Sequence, residues 1–452
     1  MTFRLLSTAI LCAAALAAPA TAQTLEETLA AAYESNPVLA GQRAQLRQTN
    51  EGYYQARAGA LPSLSASASV SESETWGGSS QATLGQTGSG SAGYSVTANQ
   101  ALYRGGRISG AIDQALAGIE AGRMRLLSTE QGVLVDAVTA HTTVIRDQEI
   151  VAIRRNNVEV LARQLDAARD RFEVGEITRT DVAQAEARLS GAQAELAAAQ
   201  AQLAASRANY ERVVGITPTT LVEPEGLPVL PQDLANAADV ALAANPELLA
   251  AQYSEIAASQ GVQIARGARR PEIGLQATAS GNRESDFTGR GRGSATIRAQ
   301  ASVPLFTGGL NASRVREAIA AEDQARLQVV QARRQVIEGV TTAWNNLLAA
   351  RAVIESSREA ERANEIAFDG VEQEAFVGLR TTLDVLNAEQ ELLNSRLNLV
   401  QAERDLYVAS YNLLQSMGVL DAQRLELPVD AYDAEASLDR GWAPNLDLTP
   451  WN

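Results

Sequence analysis

The apolar residues of this 452-residue chain follow two alternating periods, and each period occurs twice. Two proline-free blocks place apolar residues three and four positions apart, which predicts helices over Ile108–Phe172 and Asn311–Phe376. Helices of roughly 65–70 residues would be about 100 Å long at 1.5 Å per residue. No compact globular domain needs helices of that length, so we expect an elongated molecule.

A shorter helix follows each long one after a glycine break. In each shorter helix, residues spaced three and four positions apart form an apolar seam. The seam runs from Val182 to Tyr210 in the first copy and from Val385 to Leu413 in the second, in the same register. Large residues occupy one seam position and Ala or Ser the other, so neighbouring backbones can approach closely. A heptad pattern favours a left-handed supercoil. Taken alone, this stretch favours an ordinary coiled-coil hairpin.

Four segments between the helical blocks alternate with a period of two, which predicts strands. They lie near 63–71, 94–102, 272–280 and 295–305, and Gln100 is a polar residue on the otherwise apolar face of the second. Each is roughly 9–11 residues long, the length of a tilted strand that crosses a bilayer. A soluble sandwich shows the same alternation, but it needs something to cover its apolar faces. Aromatic residues typical of interfacial girdles stand at the segment ends: Trp76, Tyr94, Tyr103, Phe287 and Phe306.

The same passage occurs twice in the chain, which indicates an internal duplication. The stretch FEVGEITRTDVAQAEARL begins at Phe172, and AFVGLRTTLDVLNAEQELL begins at Ala375. Seven identical residues recur at an offset of 203: Gly175, Thr178, Asp181, Val182, Ala185, Glu186 and Leu189 match Gly378, Thr381, Asp384, Val385, Ala388, Glu389 and Leu392. We therefore expect two structural repeats of one architecture.

A second pair of matching blocks fixes the boundaries of the repeats. Asn36-Pro37 aligns with Asn245-Pro246 at an offset of 209, whereas the later blocks align at 203. The second copy is therefore six residues shorter than the first, within 280–303 compared with 71–100. Prolines cluster between the copies, where they interrupt helices. We predict five segments: a signal peptide (1–22), a first repeat (23–217), a linker (218–232), a second repeat (233–418) and a C-terminal extension (419–452) that packs around the waist of the molecule or is partly disordered.

The N-terminus has the layout of a cleavable secretory signal peptide. Arg4 precedes an apolar run, and Ala20-Thr21-Ala22 forms a small-x-small cleavage site before Gln23. Lipidation of Cys12 is the alternative, but the bulky Leu11 before it argues against a lipoprotein signal. The mature chain would then contain no cysteine, which rules out disulfides.

Charge and hydropathy exclude two classes of protein. The chain has 38 basic and 53 acidic residues, a net charge of −15, which argues against nucleic acid as a partner. No later stretch approaches about 18 consecutive apolar residues, which argues against a transmembrane helix.

Four strands cannot close a barrel, and hydrocarbon does not tolerate open sheet edges. Membrane strands would therefore be shared between chains, eight from two copies or twelve from three.

This chain resembles the TolC-type outer-membrane channels of efflux pumps and type I secretion. The resemblance covers Leu25 to Gly418 and rests on the repeated order of elements, the Asn-Pro pairs, LYRGG and LFTGG, and VGLRTTLDVLNAEQ from Val377. It implies a mixed α and β membrane protein: a homotrimer with a twelve-strand β-barrel in outer-membrane lipid and a long α-helical coiled-coil barrel in the periplasm. It also implies a periplasmic adaptor and an inner-membrane pump or ABC transporter as partners, and no cofactor.

The resemblance assigns the glycine breaks to turns at a periplasmic tip that closes the tunnel. Gly175 and Gly378 match the turns, Asp384 matches an acidic residue of the constriction, and Arg380 matches a basic residue whose partners match Thr180 and Asp181. At Asn387 the best-known members carry a second acidic residue, so strong block by multivalent cations is not expected here. The alternative for Arg380 and Asp384, four residues apart, is a local helix pair.

The remaining candidates favour structural roles. The sole histidine, His141, aligns with Trp344 in the second copy, which predicts a packing position rather than a metal site. The Gly-Gly pairs at 105 and 308 lack a phosphate-loop pattern and predict strand-to-helix turns. No nucleophile motif or metal-ligand set indicates an enzyme. The rival to a channel is a soluble periplasmic coiled-coil adaptor or scaffold without a pore.

Overall fold

The computed structural model describes residues 23–73, 89–224, 226–284 and 291–435. The order helix, helix, strand, strand, long helix, helix occurs twice along this part of the chain. The elements are α1 Leu25–Ser35, α2 Pro37–Ala58, β1 Ser63–Ser73, β2 Ser89–Arg104, α3 Arg107–Glu173, α4 Arg179–Val214, α5 Leu234–Ala244, α6 Pro246–Gly267, β3 Glu272–Glu284, β4 Gly291–Ser302, α7 Leu310–Phe376 and α8 Thr382–Ser416. This arrangement confirms the mixed α and β class and the two repeats.

The two long helices, α3 and α7, are each 67 residues long, and their bounds agree with the predicted ones to within a residue. Each folds back on the helix that follows it, so α3 pairs with α4 and α7 with α8. Helix α6 lies against both α3 and α7 and joins the two repeats side by side. None of the described helices combines the length and apolarity needed to span a membrane.

The four strands form one antiparallel sheet in chain order, β1-β2-β3-β4. Its middle pairing, β2 with β3, joins the first repeat to the second. The register sorts side chains cleanly, because Leu64, Ala98, Ala277 and Ile297 share one row on one face. The neighbouring row on the opposite face is Ser65, Thr97, Thr278 and Thr296. The predicted alternation is therefore present. Trp76 and Phe287 lie outside the described residues.

Gln100 keeps its place on the apolar face because its amide has backbone partners. Its side-chain nitrogen donates to the carbonyl oxygens of Ala60, at 2.9 Å, and Ala101, at 2.8 Å. The pairing with β3 shifts register between Ala101 and Tyr103, as a β-bulge does. A polar side chain thus secures the point where the sheet meets the helices.

The duplicated Asn-Pro pairs fasten the short helices to the end of each helical hairpin. Asn36 and Asn245 cap α2 and α6, each with proline at the first helical turn. Their side-chain amides donate to equivalent carbonyls, Asn36 to Val213 and Asn245 to Ser416, both at 2.9 Å. One sequence motif therefore makes the same tertiary contact in both repeats.

The main hydrophobic core lies midway along α3, where α1, α2, the ends of α4 and α8 and the chain beyond Gly418 converge. Leu420 and Leu427 are buried in it. The backbone N–H of Tyr432 donates to the Tyr33 hydroxyl at 2.9 Å, and Arg43 lies 4.5 Å over the Tyr33 ring. Residues 419–435 therefore pack around the middle of the molecule. Trp442 and Trp451 lie outside the described residues.

His141 sits inside this core, with no exposed surface. Its ring nitrogens lie 2.9 Å from the Thr28 hydroxyl and 3.0 Å from the Val222 carbonyl, which ties the linker to α1 and α3. Burial lowers the pKa of His141, so the ring is neutral at pH 7. Trp344, its counterpart, packs against the core of the second repeat. Both positions serve packing.

The two Gly-Gly turns offer a matched test of crowding. Gly105 has φ +66° and Gly308 has φ +61°, so alanine costs about 1–2 kcal/mol at either through backbone strain. A Cβ at Gly105 would also overlap the Gly267 carbonyl oxygen, whereas nothing lies within 4 Å at Gly308. We expect Gly105→Ala to destabilise the protein by roughly 1–3 kcal/mol more than Gly308→Ala. Denaturant unfolding of both variants measures the difference, and equal losses would contradict this geometry.

Candidate gate at the helical tip

The helical tip is formed by two turns with the same backbone geometry, centred on Gly175 and Gly378. Their φ angles are +80° and +79°. In the first, Glu176 N–H donates to the Arg171 carbonyl at 2.9 Å, and in the second, Leu379 N–H donates to the Glu374 carbonyl at 2.9 Å. In this type of helix ending, a glycine in the left-handed conformation turns the chain so that the next backbone N–H donates to a carbonyl of the last helical turn. The predicted turns are present in both hairpins.

Asp181 and Asp384 begin the returning helices as reciprocal caps. Asp384 accepts from the backbone N–H of Thr381 at 2.9 Å and from its hydroxyl at 2.7 Å. Asp181 accepts from Thr178 in the same way, at 2.9 and 2.8 Å. The Thr178 hydroxyl bond and the Thr381 backbone bond are the main reasons why the pKa of each carboxyl is lowered. Both groups therefore carry a full negative charge at neutral pH.

Arg380 forms an ion pair with Glu374 across the turn, at 2.8 Å. This hydrogen bond is the main reason why the pKa of Arg380 is raised, and the charge of Asp384 adds a smaller effect in the same direction. The direct ion-pair partner of Arg380 is thus Glu374, and Asp384 interacts with Arg380 only through its charge. Nor does the described part of the chain join Arg380 to Thr180 or Asp181 by a hydrogen bond or ion pair. That pairing between neighbouring hairpins stays a prediction for the assembled tip.

Asn387 lies where the two hairpins meet. Its side-chain oxygen accepts from the Arg188 guanidinium at 3.2 Å, which joins α8 of the second repeat to α4 of the first. Sequence reasoning did not identify Arg188, because a salt-bridge or amide partner 199 residues away leaves no local pattern. At the position where this chain lacks an acidic residue, a neutral amide thus accepts a hydrogen bond from a cationic guanidinium of the other hairpin.

A small apolar cluster lies immediately beneath this contact. Leu386 of α8 is 2% exposed and packs against Leu161 of α3 and Ala192 of α4. Val158 and Leu189 cover the same cluster. Since three helices from both repeats share it, Leu386 holds the second hairpin against the first close to the tip.

Glu389 adds a buried polar contact one turn further along α8. It is 6% exposed, and Oε1 accepts from the Asn157 amide of α3 at 2.8 Å, while Oε2 has no partner among the described residues. Burial raises the pKa of Glu389 to about 7; Asn157 and Arg163 lower it, and Glu372 raises it. Its duplicate, Glu186, is half-exposed and pairs with Arg169. Duplication therefore does not reveal which glutamate is buried.

Glu389 is expected to make the folded protein less stable as pH rises. The folded chain retains its proton up to a pKa of about 7, whereas the unfolded chain loses it near 4.5. Stability therefore falls between these two pKa values and stays low above them. We expect Glu389→Gln to remove this slope and to stabilise the protein at pH 8 on the order of 2 kcal/mol.

Thermal unfolding at pH 5 and pH 8 measures this effect. Glu186→Gln is the matched control, because an exposed ion pair contributes about 0–1 kcal/mol at most. A pH slope that is the same in Glu389→Gln and the unmodified chain would show that Glu389 does not titrate as described.

Among the described residues no group of three His, Cys, Asp or Glu side chains is arranged to hold a metal ion.

Known protein families match most of the length of the chain. A family model described as outer membrane efflux protein matches residues 13–215 and 237–419. The outer membrane efflux protein BepC of Brucella suis is 37% identical over 417 residues, which cover 92% of this chain and 90% of BepC. The alkaline protease secretion protein AprF of Pseudomonas aeruginosa is 28% identical over 313 residues, which cover 67% of this chain and 65% of AprF.

The fold also matches a solved structure. The Campylobacter jejuni CmeC outer membrane channel superposes with a TM-score of 0.77 at 14% identity, covering 92% of this chain and 88% of the CmeC chain. At that identity the likeness shows a shared fold of strands and long helices.

Proposed function

This chain belongs to the outer membrane efflux protein family, and we propose that it forms the exit duct of a tripartite efflux pump or type I secretion system. The observation that carries the proposal is the four-strand sheet. Its apolar face is open to solvent in the single chain: Leu64 is 69%, Val70 87% and Ile297 78% exposed. Lipid would cover such a face and remove these apolar side chains from water, which is favourable.

The free edges of this sheet support assembly from several chains. Strand β1 and strand β4 each lack a second neighbour among the described residues. Unpaired backbone groups cost several kcal/mol each in hydrocarbon, so membrane strands must close into a barrel. Three copies, the number implied by the resemblance, would supply twelve strands by pairing β1 of one chain with β4 of the next.

The helices would continue this barrel into the periplasm as a tunnel. Helix α7 carries large apolar residues that its own chain leaves uncovered, among them Leu327 at 69% and Ile366 at 67% exposed. Neighbouring copies of the chain would bury them. The tip would act as the gate, with Asp384, Asn387, Arg380, Thr180 and Asp181 at its constriction and Gly175 and Gly378 in its turns.

Transport through such a duct is passive, so energy comes from partners. We propose a periplasmic adaptor and an inner-membrane pump or ABC transporter, which would open the tip by competing for its polar contacts. The names of two relatives indicate two kinds of cargo, since BepC is an efflux protein and AprF is an alkaline protease secretion protein. The chain would be exported by a cleaved signal peptide and reside in the outer membrane.

Planar-bilayer recording tests the proposal. Detergent-extracted outer membranes are expected to yield a heat-modifiable oligomer that conducts ions when added to a bilayer. A monomer that stays in solution without detergent and conducts nothing would refute the channel and favour the soluble coiled-coil scaffold.

A further inference from the structure

The polar face of the sheet carries positive charge in an acidic protein. Four rows of side chains cross all four strands on this face. The rows are Ser63-Asn99-Gln276-Arg298, Ser65-Thr97-Thr278-Thr296, Ser67-Ser95-Ser280-Ser294 and Ser69-Gly93-Asn282-Arg292. Two rows consist of hydroxyls alone, and an arginine stands in the row on either side of them. We call this surface the polar face.

The hydroxyl rows are linked side chain to side chain. Ser67 and Ser95 lie 2.9 Å apart, Ser280 and Ser294 lie 3.0 Å apart, and Gln276 donates to Asn99 at 3.1 Å. Hydroxyls offer donors and acceptors without net charge. These rows therefore leave the electrostatic sign of the surface to the arginines.

Arg292 and Arg298 are exposed, and neither forms an ion pair with a described carboxylate. Six residues of strand separate them by about 20 Å. Glu272, at the helical end of the polar face, is bound by Arg107, and Glu284 stands at the other end of this face, in register with Ser91. Arginine stays protonated at every physiological pH. With Glu272 paired to Arg107, Arg292 and Arg298 outnumber the one further carboxylate on the described part of this face, Glu284. The face is therefore positive, while the chain as a whole has a net charge of −15.

We propose that the polar face is an anion-selective lining of the exit barrel, so that anionic cargo is favoured at the exit. This inference rests on the proposed function, since a barrel closed by three copies would place three copies of each arginine in one ring. A ring of guanidinium groups in a water-filled pore with low-dielectric walls raises the local concentration of anions. Arginine also binds carboxylate and phosphate oxygens in pairs. At the other end of the molecule, the tip carries the ionised Asp181 and Asp384.

Block by inorganic tripolyphosphate tests the assignment on the unmodified chain. Assembled channels are inserted in one orientation in a planar bilayer, and the polyanion is added to the chamber that faces the sheet or to the chamber that faces the tip. We expect block from the sheet side at concentrations at least tenfold lower than from the tip side. Equal sensitivity from both sides, or no block, would overturn the proposal.

Three variants localise the effect. Arg292→Gln combined with Arg298→Gln is expected to raise the blocking concentration at least tenfold, whereas Arg298→Lys keeps the charge and most of the block. Arg283→Gln is the matched control, because Arg283 lies on the opposite face beside Ala92 and Val70. Loss of block in Arg283→Gln alone, or its persistence in the double variant, would overturn the proposal. Absence of any current from the unmodified protein would instead refute the channel itself.

Discussion

Ile297→Arg is expected to abolish stable insertion of the protein in the outer membrane. Ile297 lies near the middle of β4, in the apolar row with Leu64, Ala98 and Ala277, and is 78% exposed in the single chain. Arginine on the lipid face near the bilayer midplane costs about 2–4 kcal/mol. A barrel of three copies would carry this substitution three times. We expect at least a tenfold loss of heat-modifiable oligomer from isolated outer membranes.

The adjacent residue provides the control. Thr296 belongs to the hydroxyl row on the opposite face, so Thr296→Arg would place its charge in the water-filled interior. It should assemble in amounts close to the unmodified protein. If both variants assembled equally well, the apolar face would not be in contact with lipid. If both failed equally, β4 would simply be intolerant of arginine, and the two faces of the sheet would not differ as described.

Leu386→Ala is expected to open the tip. Truncation of a buried leucine costs about 2–5 kcal/mol, and Leu386 packs α8 onto Leu161 and Ala192 of the first hairpin. If the closed tip depends on this docking, the ratio of open to closed channels rises by roughly 30-fold or more, since each 1.4 kcal/mol is a factor of ten. Single-channel recordings of open probability measure the change directly.

Leu383→Ala is the control for this variant. Leu383 is on the same helix, three residues nearer the tip, and is already 42% exposed. Its loss should change open probability far less than the loss of Leu386. An unchanged open probability in Leu386→Ala, in channels that still assemble, would show that the gate does not involve separation of α8 from the first hairpin.

The sequence predicts best the features that repeat within one chain. The long helices follow from uninterrupted periodicity, and their ends follow from glycines that take φ near +80° in both copies. The strands follow from clean alternation of apolar residues with Ser and Thr. Each of these signals is local, so a window of ten to twenty residues contains the whole physical cause.

The contacts between the repeats were harder to predict. Arg188 meets Asn387, and Asn157 meets Glu389, across 199 and 232 residues of chain. Duplication also hides differences, because Glu186 and Glu389 occupy equivalent positions but one is exposed and the other buried. Burial of a particular copy depends on how the hairpins dock, and that docking has no signature in either repeat alone.

A barrel completed by several copies requires β1 of one chain to pair with β4 of another. The only cysteine, Cys12, lies in the predicted signal peptide, so cysteines introduced in the strands would be the only thiols of the mature chain. Ala66→Cys in β1 can be combined in turn with Ala295→Cys, Ala299→Cys and Ala301→Cys in β4. Within one chain these strands stand three strand spacings apart, about 14 Å, which is too far for a disulfide.

Oxidation of these double-cysteine variants in isolated outer membranes, followed by non-reducing electrophoresis, is therefore the most direct measurement. For the β4 position in register with Ala66, we predict a ladder that ends at three times the mass of the chain and collapses on reduction. A chain that stays single at every β4 position scanned, or a ladder that stops at two, would contradict a barrel completed by three copies.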